Sequence, residues 1–156
     1  MSDPRQVSQL TALPSLAVIL GSFIFWLLGK RSNAFQLFAF LLCLGGGLAG
    51  IGLAGDPKAM IAALVVQQTG AGMAVPTLIA WTQMQFPAEH RGRGIGIWSS
   101  CFFLGQFASP WVVHQISVAL GTMQGAFLTA GLFGLGGAAL ALAAHFFAPK
   151  PNLQAA

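Results

Sequence analysis

Charge is what this sequence has least of. Ten of its 156 residues are ionised, seven Lys or Arg and three Asp or Glu. The apolar share is 56% and the mean hydropathy +0.76. A soluble domain carries about 25% charged residues, so ten cannot solvate the surface of a globule this size. An ordinary soluble enzyme domain is excluded. Disorder is excluded too, because it needs low hydrophobicity and high charge. Cysteine is scarce as well: Cys43 and Cys101 stand alone, without the paired spacing of a zinc or redox motif. They read as small apolar residues. The sequence has no G-x-S-x-G, H-E-x-x-H or P-loop. It has no basic run that would suggest nucleic acid. No enzyme, metal or cofactor is expected.

The few charges punctuate long uncharged runs, 6–29, 32–55, 59–88 and 94–149. A helix crosses a bilayer core with roughly 20 residues, so the first three runs each hold one span. The last holds two, joined at Gly121-Thr122-Met123-Gln124-Gly125. An ionised side chain at mid-membrane costs about 2.5–3.5 kcal/mol, which gives the gaps their meaning. Stretches such as Leu37 to Leu44 and Gly131 to Phe147 are apolar on nearly all faces. That pattern suits helices, since a spanning strand alternates apolar and polar residues. The expected fold is therefore all-α, a polytopic membrane protein with five transmembrane helices at 10–28, 34–54, 59–84, 96–119 and 126–147. Residues 1–9 precede this domain, and 148–156 form a tail.

Orientation follows from the loops. Lys30, Arg31, Arg91, Arg93 and Lys150 fall on one side of this arrangement, and Arg5 and Lys58 on the other. The positive-inside rule places the larger set in the cytoplasm, with the N-terminus outside and the C-terminus inside, in the cell (inner) membrane. The apolar stretch from Ala12 to Leu28 has its basic pair after it, the reverse of a secretory signal, so it reads as a span. An external, nearly uncharged start is odd for a whole protein and suggests a fragment.

The connection Phe86-Pro87-Ala88-Glu89-His90-Arg91-Gly92-Arg93-Gly94 is the most informative stretch. Pro87 stops the third helix, and Gly92 and Gly94 permit a tight turn into the fourth. Arg91 and Arg93 suit lipid phosphates or the C-terminal ends of neighbouring helices. A basic loop that merely fixes topology is the plainer reading. Before this loop come Gly70-Ala71-Gly72 and Pro76, and after it Gly105 and Pro110.

That series resembles the major facilitator superfamily. There, a helix with G-x-G and a downstream proline leads into a cytoplasmic P-x-x-x-R-G-x-x-x-G loop, followed by a helix with a G-x-x-x-G-P-like element. Here the element is Leu104-Gly105-Gln106-Phe107-Ala108-Ser109-Pro110, with Ser109 where the family often has glycine. Leu28-Gly29-Lys30-Arg31 is similar to the family's shorter basic loop without its acid. The resemblance covers about residues 10–147 and implies spans eight to twelve of a twelve-span secondary transporter. Its partners would be the lipid bilayer, a small-molecule solute, and a missing N-terminal half or an oligomer. Spans two to six of the first half are the other placement that pseudo-repeats allow.

Polar residues inside the runs are the candidate pathway. At about 100° per residue, Ser99, Gln106 and His114 share an arc of the fourth helix. Gln68, Gly72, Thr82 and Gln83 share a stripe of the third. Polar groups in a bilayer face protein or water, so the stripes either line a solute path or hydrogen-bond between helices. His114 is the one titratable group in mid-span, where it could carry a proton or serve as a neutral structural residue. Gly46 and Gly50 form a G-x-x-x-G, and Gly131, Gly134, Gly136 and Gly137 stud the fifth helix, all suited to close packing. Trp111 lies deeper in its span, where core packing is the favoured reading and facing the solute the other. Part of a transporter working by alternating access is the favoured function. The alternative is a standalone small multi-pass protein acting as an accessory or scaffold subunit. An intramembrane enzyme, the third class, would rest on His114.

Overall fold

In the computed structural model, the backbone is described for residues 4–147 and the side chains for 14–147. Five helices account for nearly all of this: α1 (Pro4–Leu27), α2 (Asn33–Leu53), α3 (Pro57–Gln85), α4 (Arg91–Leu120) and α5 (Met123–Phe147). There is no strand among the described residues, so the fold is all-α. The tail expected at 148–156 lies outside the described residues.

Local chemistry sets the helix starts. Ser32 accepts from the Phe35 N–H at 3.3 Å and caps α2. Asp56 accepts from the Ala59 N–H at 2.8 Å, with Pro57 in the first turn of α3. Both supply an acceptor to N–H groups that a helix leaves open. Gly121 closes α4 with φ 73°, the one positive φ among the described residues. Thr122 then accepts from the Gly125 N–H at 3.1 Å to open α5.

α2 is the centre of the bundle, packed most extensively against α5 and α3; α1 lies against α3. α4 touches α5 and α3 more lightly, and Gly94 is its one buried residue. Contact is made by small residues. A Cβ added at Gly45 would stand 2.6 Å from the Leu135 backbone nitrogen, and one at Gly134 would stand 2.8 Å from Gly45 Cα. Gly70 lies as close to Leu44, and Gly52 to Leu128. Such approach is what holds helices together in lipid, where apolar side chains gain little by leaving an apolar solvent. Many large side chains point outward, Phe107 88% exposed and Phe133 79%, although Phe40 and Met73 are buried.

Three features differ from the sequence expectation. α2, α3 and α5 are long and apolar enough to cross a membrane, but α4 falls short of that measure. In α4 the cause is polar dilution by Ser99, Ser100, Gln106, Ser109, His114, Gln115 and Ser117. Second, α4 begins at Arg91, so Gly92 and Gly94 are helical and form no glycine turn. Gly94 is needed for another reason: a Cβ there would meet the Phe86 ring. Third, Gly46 and Gly136 face open space, whereas Gly50 meets Ala63 of α3, Gly131 and Gly134 meet α2 as expected, and Gly45 and Gly52 add close contacts that no spacing motif marked.

Candidate functional site

One end of the bundle gathers the basic groups. Lys30 and Arg31 follow α1, and Arg91 and Arg93 open α4; all four are exposed. No ion pair holds them among the described residues. Arg31 stacks over the Phe35 ring at 5.9 Å. His145, near the end of α5, meets Ser32 through Nδ1 at 2.7 Å and lies 5.9 Å from the Phe35 ring. Asn33 donates to the Met84 sulfur at 2.9 Å. The α1–α2 connection is thereby tied to the ends of both α3 and α5. Pro87 stands between α3 and the single turn Ala88–His90. Arg91 and Arg93 lie in the first turn of α4, the positive end of its dipole, so their charge does not serve that helix.

The α3 stripe is split by its proline. Gln68 is half-buried before Pro76, and Thr82 is half-buried after it, donating to Leu78 O at 2.8 Å. Gln83 is exposed. Gly70 and Gly72 are buried in contact, Gly70 against α2 and Gly72 against the Val18 carbonyl of α1. Thr77 is 1% exposed, and its hydroxyl has no partner. The sequence stripe passed over this residue because it lies off the polar arc.

The α4 stripe is more open. Ser99 is half-buried, and Gln106 and His114 are exposed. Neither side chain of the last two has a hydrogen-bond partner among the described residues. Gly105 and Pro110 are exposed as well, and a Cβ at Gly105 would meet nothing within 4 Å. Trp111 is not in the core but 67% exposed. A surface hollow of about 520 Å³ on this helix is lined by Arg93, Gly96, Ile97, Ser100 and Cys101, to one side of the stripe. No hydrogen bond joins the α3 and α4 stripes among the described residues. The five helices thus present two polar faces, one on α3 and one on α4.

A sequence profile described as Major Facilitator Superfamily matches residues 1–155. The chain belongs to that family. Membership in the Major Facilitator Superfamily makes it a transport protein of the membrane, which agrees with its apolar helices and proline-interrupted α3 and α4. No curated protein and no solved structure matches it. The helix-breaking prolines of this Major Facilitator Superfamily chain were visible in the sequence. Their hydroxyl partners were not. Ser109 donates to the Gln106 carbonyl at 3.1 Å, the group that Pro110 leaves without its N–H. Spacing from Pro110 would have found it: the orphaned carbonyl is always four residues before the proline.

Proposed function

We propose that the chain contributes one wall of a secondary transporter that moves a small solute by alternating access, in the position of spans eight to twelve. On this reading all five helices cross the cell membrane, including α1 and α4. The end carrying Lys30, Arg31, Arg91 and Arg93 faces the cytoplasm, by the positive-inside rule. Ser99, Gln106 and His114 of α4, with Gln68, Thr82 and Gln83 of α3, line the solute path. A complementary set of helices, from a preceding half or a second copy, covers α4. Solute transport then requires that complement.

One observation carries the reading. α4 is the least packed helix, yet it is the one with an uncompensated polar side: Gln106 and His114 are exposed without hydrogen-bond partners among the described residues. In a bilayer such groups belong against protein or water. Simple interhelical hydrogen bonding is not supported for these two, because no described side chain meets them.

Cysteine accessibility tests it without knowledge of the solute. In a background with Cys43→Ala and Cys101→Ala, Gln106→Cys and His114→Cys should react with a membrane-impermeant thiol reagent in native membranes. Ala108→Cys and Val112→Cys, on the opposite side of the helix at about 100° per residue, should stay protected. Equal protection at all four positions would remove the water-lined pathway.

A further inference from the structure

Pro76 breaks the hydrogen-bond ladder of α3. Lacking an N–H, it leaves the Gly72 carbonyl, four residues earlier, without its helical partner. In lipid an unsatisfied backbone carbonyl is costly, and no water is at hand to meet it. A donor comes from another helix. Ser22 of α1 lies with its hydroxyl 3.4 Å from Gly72 O and 3.2 Å from Val18 O, so that one proton is shared between a carbonyl of its own helix and the orphaned one.

The two backbones have to touch for this to happen, and two glycines allow it. A Cβ at Gly21 would overlap the Thr69 carbonyl and stand 2.9 Å from Gly72 Cα, while one at Gly72 would overlap the Val18 carbonyl. The contact is reciprocal, each glycine Cα facing a carbonyl of the other helix, a geometry that adds weak C–H···O attraction. α4 offers the contrast. Its orphaned carbonyl, Gln106 O, is met by Ser109 of the same helix at 3.1 Å. The α4 break is satisfied within itself, whereas the α3 break is completed by α1.

From this we infer that Ser22 is a positioning residue for the transport path: by holding the Gly72 carbonyl it fixes the angle between the two halves of α3. Gln68 lies before the break and Thr82 and Gln83 after it, so their relative placement depends on α1. The consequence for the path rests on the function proposed above, while the bond itself does not. α1 and α3 then move as one body, and bending at Pro76 requires that the Ser22 contact be given up.

The bond can be read directly. Gly72-Met73 is the one Gly–Met pair in the sequence. Carbonyl-¹³C glycine with ¹⁵N methionine therefore selects the Gly72 carbonyl in the full chain in lipid. Ser22→Ala should move this resonance upfield, towards a non-bonded carbonyl, and Ser22→Thr should retain it. In a Pro76→Ala background the restored N–H takes over, and Ser22→Ala should then leave the resonance in place. Spin labels at Lys58→Cys and Gln85→Cys, with Cys43→Ala and Cys101→Ala, report the angle. Their distance distribution should broaden with Ser22→Ala and narrow again when Pro76→Ala is added. If Ser22→Ala alone fails to fold, Pro76→Ala must rescue it. An unmoved resonance in the proline-containing chain, an equal change in both backgrounds, or failure of the rescue would overturn the inference. The α4 accessibility pattern is unaffected by these outcomes, so the two readings fail separately.

Discussion

A side chain at Gly45 would run into α5, 2.6 Å from the Leu135 nitrogen, whereas one at Gly46 would meet nothing within 4 Å. Adjacent glycines in one helix therefore have opposite tolerances. Gly45→Ala should destabilise the bundle by about 1–3 kcal/mol, the usual range for overpacking. Gly46→Ala should be neutral or add up to about 1 kcal/mol through helix propensity. Unfolding in mixed detergent micelles measures both, and a loss at Gly46 equal to that at Gly45 would refute the assigned interface. Thr77 gives a second contrast at this scale. Its hydroxyl is buried without a partner, and removing such a group while keeping its shape relieves a desolvation penalty of about 1–3 kcal/mol. Thr77→Val should raise stability in the same assay. A loss would mean that the hydroxyl has a partner in the membrane.

At the level of the helix, α4 sets Arg91 and Arg93 in its first turn, where the dipole disfavours them. On the proposed orientation, their role is topogenic. Arg91→Gln with Arg93→Gln should leave helix content unchanged or slightly increased by circular dichroism. It should also reduce the fraction of chains with this end in the cytoplasm, as read by a fused topology reporter. Unchanged topology would assign the orientation to Lys30 and Arg31. The helices themselves were legible because uncharged runs and bilayer thickness impose their lengths. Their faces were less so. Of Gly46 and Gly50, which matched a spacing motif, only Gly50 meets a neighbour, and the contact with α5 runs through Gly45 and Gly52, which no motif marked. A helix so apolar carries little angular signal about which side meets a neighbour. Trp111 went astray for a related reason: large apolar side chains in lipid need not be buried, and packing favours small ones. Ser22 was invisible because its role depends on a carbonyl fifty residues away.

For the whole molecule, the Major Facilitator Superfamily assignment and the five-helix bundle agree, but they rest unequally on the individual helices. α2, α3 and α5 are apolar enough to span by themselves. α4 is not, and the pathway reading needs it to cross. A polar helix spans when its polar side is sheltered by protein or water, and the bundle leaves room for such shelter along the exposed side of α4. The arrangement has one demanding consequence. The connections after α1 and α3 must share one side of the membrane, and those after α2 and α4 the other. Single cysteines at Gly29→Cys, Ala88→Cys, Gly55→Cys and Thr122→Cys, in a background with Cys43→Ala and Cys101→Ala, test it in intact cells. With an impermeant reagent, Gly55→Cys and Thr122→Cys should label from outside, and Gly29→Cys and Ala88→Cys only after permeabilisation. Labelling of Ala88→Cys and Thr122→Cys from the same side would show that α4 does not cross, and would contradict the account.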